Sequence, residues 1–313
     1  MHGFCRYQTS VLSFALIMNC SIPFFRLLGF ICVLGWALPR AEAQTAGMNE
    51  LLEKVRKGDT YQVVYLLTQG GVPADFTDYQ KRSPLFYACE GGHTEIARVL
   101  IDNNAKVDRL DVYRMTPLHL AAYGGHYEIA RLLIRKGAPV NVWSSDSTTP
   151  LHRAAIMGRD SVVTLLLENG ADVNFPNERG QTAMHMAARW NWVSTMKLLS
   201  NKGALLDWQD HEKRTPLHLA CAANRLDAVR FLLENGADVN ALNHSYNTPM
   251  DFAVQPAIIS LLRRYGGVDG YTQVRRLQNQ GKLPRDLRWK PAENSASPRD
   301  TSASPAPAPA GGQ

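Results

Sequence analysis

Along the middle of the chain, paired apolar positions recur at a fixed interval. Val99-Leu100, Leu132-Leu133, Leu165-Leu166, Leu198-Leu199 and Phe231-Leu232 each stand 33 residues after the pair before. A second series keeps the same step: Ala88, Ala121, Ala154, Ala187, Ala220 and Ala253, without exception. Five residues before each alanine is a hydroxyl residue, Ser83, Thr116, Thr149, Thr182, Thr215 or Thr248, and proline follows it in every case but Thr182. A Ser or Thr before Pro predicts a helix N-cap and a first helical position where a missing N–H costs nothing. The alanine then falls inside a short first helix, small enough to let the same helix of the next unit lie close. Gly92, Gly125, Gly158, Asn191 and Asn224 end that helix, being the residue types that tolerate a left-handed backbone. The paired apolar residues lie on a second helix, stopped by Asn104, Gly137, Gly170, Gly203 and Gly236. A turn residue follows at Asp78, Asp111, Ser144, Asn177, Asp210 and Asn243, in a short loop leading to the next cap.

Such a unit, helix-turn-helix and projecting loop, cannot bury its apolar face alone and must stack on its neighbours. The period and the motifs Thr116-Pro117-Leu118-His119, Thr149-Pro150-Leu151-His152, Thr182-Ala183-Met184-His185 and Thr215-Pro216-Leu217-His218 resemble the ankyrin repeat, a family characterised by this spacing and signature. The resemblance covers about residues 48–267. It implies an all-α solenoid of about seven stacked units, a curved rod with inner helices and loop tips on its concave side. Residues 49–71 read as a leading helix pair with a charged first helix, an N-terminal cap. The last unit, from Thr248, reaches Gly266 three residues early and carries Pro256 at its inter-helix turn, which suits a closing cap.

The ends have a different composition. Leu27–Leu38 is an uncharged, mostly apolar run after Arg26, followed by Ala41-Glu42-Ala43. This predicts a secretory signal peptide over residues 1–43, cleaved before Gln44, with Met18 as a second possible start. The run is too short for a standard membrane span. The alternative is an uncleaved anchor that also uses Tyr7–Phe25. Export, most simply to a bacterial periplasm, is the expectation; inner-membrane anchoring is its alternative. Net charge is +6, yet residues 44–262 hold 22 basic against 23 acidic side chains, while 263–290 hold eight basic against two. The neutral body argues against nucleic-acid binding by it. The array is assigned to 44–269, a basic segment with a short helix through Val274 and Leu277 to 270–290, and a disordered Pro/Ala/Ser-rich tail to 291–313. The basic segment either lies against the end of the stack or attaches to an anionic surface.

Candidate chemistry is sparse. No H-E-x-x-H, paired C-x-x-C or G-x-S-x-G occurs in the chain. The resemblance makes His119, His152, His185 and His218 structural, bonding neighbouring loops, together with the caps Thr116 and Thr149, Pro117, and the alanines Ala121, Ala154, Ala187 and Ala220. Copies one repeat apart, roughly 10 Å, are too distant to share one metal. Cys89 and Cys221 occupy a small-residue position and should be buried, free and inert. No cofactor, metal or catalytic residue is expected; a hydrolase or metal protein is the remote alternative.

Repeat register instead marks a protein-binding surface. In the family, partners engage the loop tips and the exposed end of the first helix. Those positions hold Tyr79, Arg82, Tyr113, Met115, His211 and Arg214 on loops, and Tyr123, Ile156, Met157, Arg189 and Trp190 on helices. Trp, Tyr and Arg are the usual energetic anchors of interfaces. Trp190 stands where a neighbouring unit has Gly124, which puts the local turn geometry in question and makes Trp190 the first choice of anchor. The expected protein is a monomeric, non-catalytic module that scaffolds, inhibits or protects a partner protein. A membrane-associated adaptor, held by either terminus, is the alternative.

Overall fold

The computed structural model describes residues 44–282. The signal peptide expected over 1–43, the tail expected over 291–313 and the end of the basic segment lie outside the described residues. Within them every regular element is helical. Contacts divide the chain into two compact units, Met1–Leu205 and Leu206–Gln313. The first holds α1 (44–57), α2 (Thr60–Thr68), α3 (Pro84–Gly91), α4 (Thr94–Asp102), α5 (Pro117–Gly124), α6 (Tyr127–Arg135), α7 (Pro150–Ile156), α8 (Asp160–Glu168), α9 (Ala183–Trp190) and α10 (Val193–Asn201). The second holds α11 (Pro216–Ala222), α12 (Leu226–Glu234), a 3-10 turn (Pro249–Phe252), α13 (Pro256–Arg264) and α14 (Gly270–Asn279). The leading helix is already formed at residue 44, earlier than the 49 read from its charge pattern.

The caps work through a buried imidazole. In α5 the Thr116 N–H donates to His119 Nδ1 at 3.0 Å, so the histidine takes the part that Glu or Gln plays in a capping box. Thr149 and Thr215 donate likewise to His152 and His218, and Thr182 to His185. With Nδ1 accepting, the ring proton sits on Nε2. It is donated to a carbonyl in the following loop, from His119 to Thr148 O at 3.1 Å and from His152 to Gln181 O at 3.0 Å. His218 does the same to Asn247 O at 3.2 Å within the second unit. Burial disfavours the imidazolium and pushes His119 and His152 down to about 4, with His218 lowered for the same reason.

Each loop is closed by its turn residue. Asp111 Oδ1 accepts from the N–H groups of Tyr113 and Met115, and Asp78, Asn177, Asp210 and Asn243 repeat the pattern. Three residues further on, Lys81, Arg114, Ser147, Lys213 and Tyr246 have φ between 56° and 61°. Only Gly180 among the six equivalents is the residue type that this backbone favours. At the third loop Ser144 lacks a carboxylate, and Asp146 supplies one, accepting from Ser144 Oγ and Thr148 Oγ1.

Between repeats, Ala88, Ala121, Ala154, Ala187 and Ala220 are fully buried. All ten predicted left-handed helix ends have positive φ. The extremes depart from the pattern. In the first repeat Phe86 occupies the histidine position, and the buried Ser83 Oγ has no hydrogen-bond partner among the described residues. In the last, Ala253 is an exception to the alanine rule, half-buried and extended after a 3-10 turn. There Asp251 replaces histidine: its Oδ2 accepts from the N–H groups of Thr248 and Gly270, fixing the start of α14. On α14 Val274 is fully buried, Leu277 is half-buried, and Gly281 follows with φ 65°.

These neutral histidines set a pH dependence. An unfolded imidazole takes its proton near 6.5, whereas His119 and His152 refuse it until about 4. Between those values the unfolded state binds more protons, so stability falls as pH falls, by about 1.4 kcal/mol per pH unit for each histidine. Urea unfolding at pH 7, 6 and 5 measures this slope. His152→Gln should lower stability at pH 7 by about 2 kcal/mol and make the slope shallower by about one proton; an unaltered slope contradicts the assignment.

Candidate partner-binding surface

In the first unit the loop tips are tied in series by backbone bonds. Val112 N–H donates to Gln80 O at 3.0 Å, Ser145 N–H to Tyr113 O at 2.8 Å, and Glu178 N–H to Asp146 O at 3.3 Å. Equivalent loop positions are thereby held side by side. Arg82 Nε–H adds a bond to Asp111 Oδ2 at 3.2 Å, and Arg109 binds Asp75 through two nitrogens at 2.6 Å each. That guanidinium keeps the Asp75 carboxyl below the usual carboxylate range.

The sequence-predicted contact residues separate into three groups. Tyr79, Tyr113, Tyr123 and Trp190 present their rings to solvent, at 88%, 54%, 46% and 48% exposure. Arg189 and His211 are exposed too. Met115, Ile156 and Met157 are half-buried, not freely solvated tips. Arg82 and Arg214 are half-buried. Arg82 is paired with the buried Asp111, and Arg214 with the buried Asp210 at 2.9 Å, so both serve the loops before any partner.

The turn after Trp190 is regular. Asn191 has φ 65° and ψ 30°, close to the 81° and 21° of Gly125, so the tryptophan is accommodated without altering the backbone. The reason lies one position beyond the turn. The side chain there folds back over the left-handed residue of the preceding repeat: His126 over Gly92, Arg159 over Gly125, Trp192 over Gly158. A Cβ at Gly158 would stand 2.4 Å from the Trp192 ring, so that glycine is required by contact as well as by φ. His93 and His126 also lie against Gly91 and Gly124 of their own repeats, whereas Arg159 and Trp192 leave room for Met157 and Trp190. Trp192 further donates its indole N–H to Ile156 O at 2.9 Å. Of two tryptophans two residues apart, one is a structural tie and the other faces solvent.

Two features escaped the sequence reading. Trp143, half-exposed, stacks on Phe175 with ring centroids 6.0 Å apart and planes 20° from parallel. The pair occupies adjacent, not identical, repeat positions, which hides it from a register search. Trp192 was masked by its neighbour. As for chemistry, Cys89 and Cys221 are free and buried, and burial raises both thiols, Cys221 up to about 12, which keeps them protonated. Among the described residues no three His, Cys, Asp or Glu side chains gather as a metal-ligand set.

Comparison with known proteins agrees with this architecture. A family model described as ankyrin repeats (3 copies) matches residues 51–146, 112–177 and 151–243. Among solved structures, the crystal structure of the human ASB11 ankyrin repeat domain is similar, with a TM-score of 0.65 and 26% sequence identity. The match covers 70% of this chain and 98% of that one.

The two tryptophans should behave oppositely in stability measurements. Trp192→Ala removes the ring over Gly158 and the bond to Ile156 O and should cost about 2 kcal/mol in urea unfolding. Trp190→Ala should change stability by no more than about 0.5 kcal/mol.

Proposed function

The chain belongs to the ankyrin-repeat family, whose repeats make protein–protein interaction modules, and from that premise we propose that its first unit grips a partner protein on the concave side. The observation that carries this reading is the set of exposed aromatic rings, Tyr79, Tyr113, Tyr123 and Trp190, on a backbone whose loops are bonded to one another. Large rings with few rotatable bonds lose little entropy on binding, and a pre-tied scaffold adds little ordering cost. Ile156 and Met157 supply an apolar wall beside Trp190, the setting in which interface anchors reach full desolvation. The protein contributes no catalysis of its own; it scaffolds, inhibits or protects what it holds.

The same reading places the protein outside the cytoplasm. Support comes from Arg26, the apolar run Leu27–Leu38 and the Ala41-Glu42-Ala43 triplet. Cleavage before Gln44 leaves the whole described length of α1 in the mature chain. Among the described residues no helix is long and apolar enough to cross a membrane. An uncleaved N-terminus would instead tether the array to the inner membrane.

Two measurements check these statements. A photo-crosslinker at position 190, used in the native compartment, should capture one dominant protein. Trp190→Ala should weaken that complex by about 2 kcal/mol or more while the fold is retained; full affinity in the variant rejects the surface. Mass spectrometry of the purified protein should find Gln44 at the N-terminus, and a chain that retains Leu27–Leu38 means a tether.

A further inference from the structure

Charge balance holds through the array and fails at its C-terminal end. Up to residue 262 acidic and basic side chains are nearly equal in number. Many of the cations there sit in ion pairs, as Arg109 does with Asp75, Arg131 with Glu128 and Arg153 with Asp146. From residue 263 the pairing stops. Arg263, Arg264, Arg275, Arg276 and Lys282 are all exposed, and none has an ion pair among the described residues. The one acid between them, Asp269, is committed to the N–H and hydroxyl of Thr272 at the start of α14. Leaving five like charges in water costs some self-repulsion and does nothing for a core.

Beside them lies a groove. A cavity of about 250 Å³ between α12 and α13 is lined by Leu226, Ala257 and Leu261 together with Arg230, Ser260 and Arg264. Two guanidinium groups and a hydroxyl suit a phosphate. The apolar half of the lining suits the carbon skeleton attached to it. Arg230 is available because its pair with Asp227, at 3.4 Å and half-exposed on both sides, is weak. Tyr265 and Tyr271, 41% and 52% exposed, flank the cations with the side chain that gathers at membrane–water boundaries.

We propose that the second unit docks on an anionic phospholipid surface. Arg230, Ser260 and Arg264 hold a lipid phosphate in the α12–α13 groove, and Arg263, Arg275, Arg276 and Lys282 supply the attracting field. A nucleic-acid backbone would satisfy the cations but leave Leu226, Ala257 and Leu261 in water. An acidic polypeptide offers carboxylates but no phosphate-and-glycerol unit for one groove to hold. The surface is separate from the aromatic row of the first unit and does not depend on it.

Co-sedimentation of the full chain with vesicles tests this. It should bind phosphatidylcholine vesicles containing about one-third phosphatidylglycerol and bind pure phosphatidylcholine at least about 25-fold more weakly, two charges' worth at fivefold each. Binding should fall steeply as salt shortens the screening length from about 10 Å toward 3 Å. Arg275→Glu with Arg276→Glu should reduce partition at least about 25-fold, and Arg230→Ala with Arg264→Ala by a similar factor. Both double variants should keep the parent thermal unfolding curve, since the altered side chains are exposed. Equal partition onto the two vesicle types overturns the proposal, as does unchanged partition of both folded double variants. Capture of duplex DNA or polyglutamate in preference to the anionic vesicles overturns it as well.

Discussion

Everything in the first unit depends on one constraint: a helix pair of about twenty residues cannot cover its own apolar face, so it must be held in register with the next. The bond that sets the register is the Nε2–H of a buried histidine donated to a carbonyl 29 residues ahead. That bond requires a neutral ring with its proton on Nε2, and the threonine N–H donated to Nδ1 fixes this tautomer. Burial then protects the neutral form, and the loops inherit their alignment from it. The loops that carry Tyr79 and Tyr113 lack such a donor and are tied by the Val112 N–H to Gln80 O bond instead.

The first and last repeats replace this histidine in different ways. At the first repeat Phe86 fills the histidine site with carbon, which keeps the packing and gives up the bond; Ser83 Oγ is left unpartnered. At the last repeat the following chain offers an N–H, that of Gly270, in place of a loop carbonyl. A histidine that must donate there would have no acceptor, and Asp251, which can only accept when ionised, takes the position. Thr248 Oγ1 reaches the nearby Val268 O at 2.6 Å instead. From the second repeat on, this position therefore matches what lies next along the chain: a loop carbonyl for histidine, an amide for aspartate.

Much of this architecture could be read directly from residues. Caps, left-handed ends and close-packed alanines carry side-chain requirements strict enough to repeat visibly. The loop backbone did not: Lys81, Arg114, Lys213 and Tyr246 adopt positive φ because the turn residue behind each one accepts two N–H groups and outweighs the strain. No side-chain pattern advertises that. Arg82 and Arg214 stand at loop-tip positions, but their pairing with buried Asp111 and Asp210 is not legible from residue type alone. Trp190 and Trp192 were indistinguishable by type. What separates them is a cross-repeat contact 34 residues back, to Gly158, which only the folded chain reveals.

The two proposed surfaces use different physics, and this has a consequence for how the protein could be regulated. The aromatic row gains its energy from burial of rings, a force that salt hardly screens. The C-terminal cations act through charge, which falls off within a screening length. A change in ionic strength or lipid charge would therefore free the second unit from its surface without loosening what the first unit holds. The neutral balance of residues 44–262 is what permits this separation. Had the cations been spread through the array, every partner contact would have shared the salt dependence of the membrane contact.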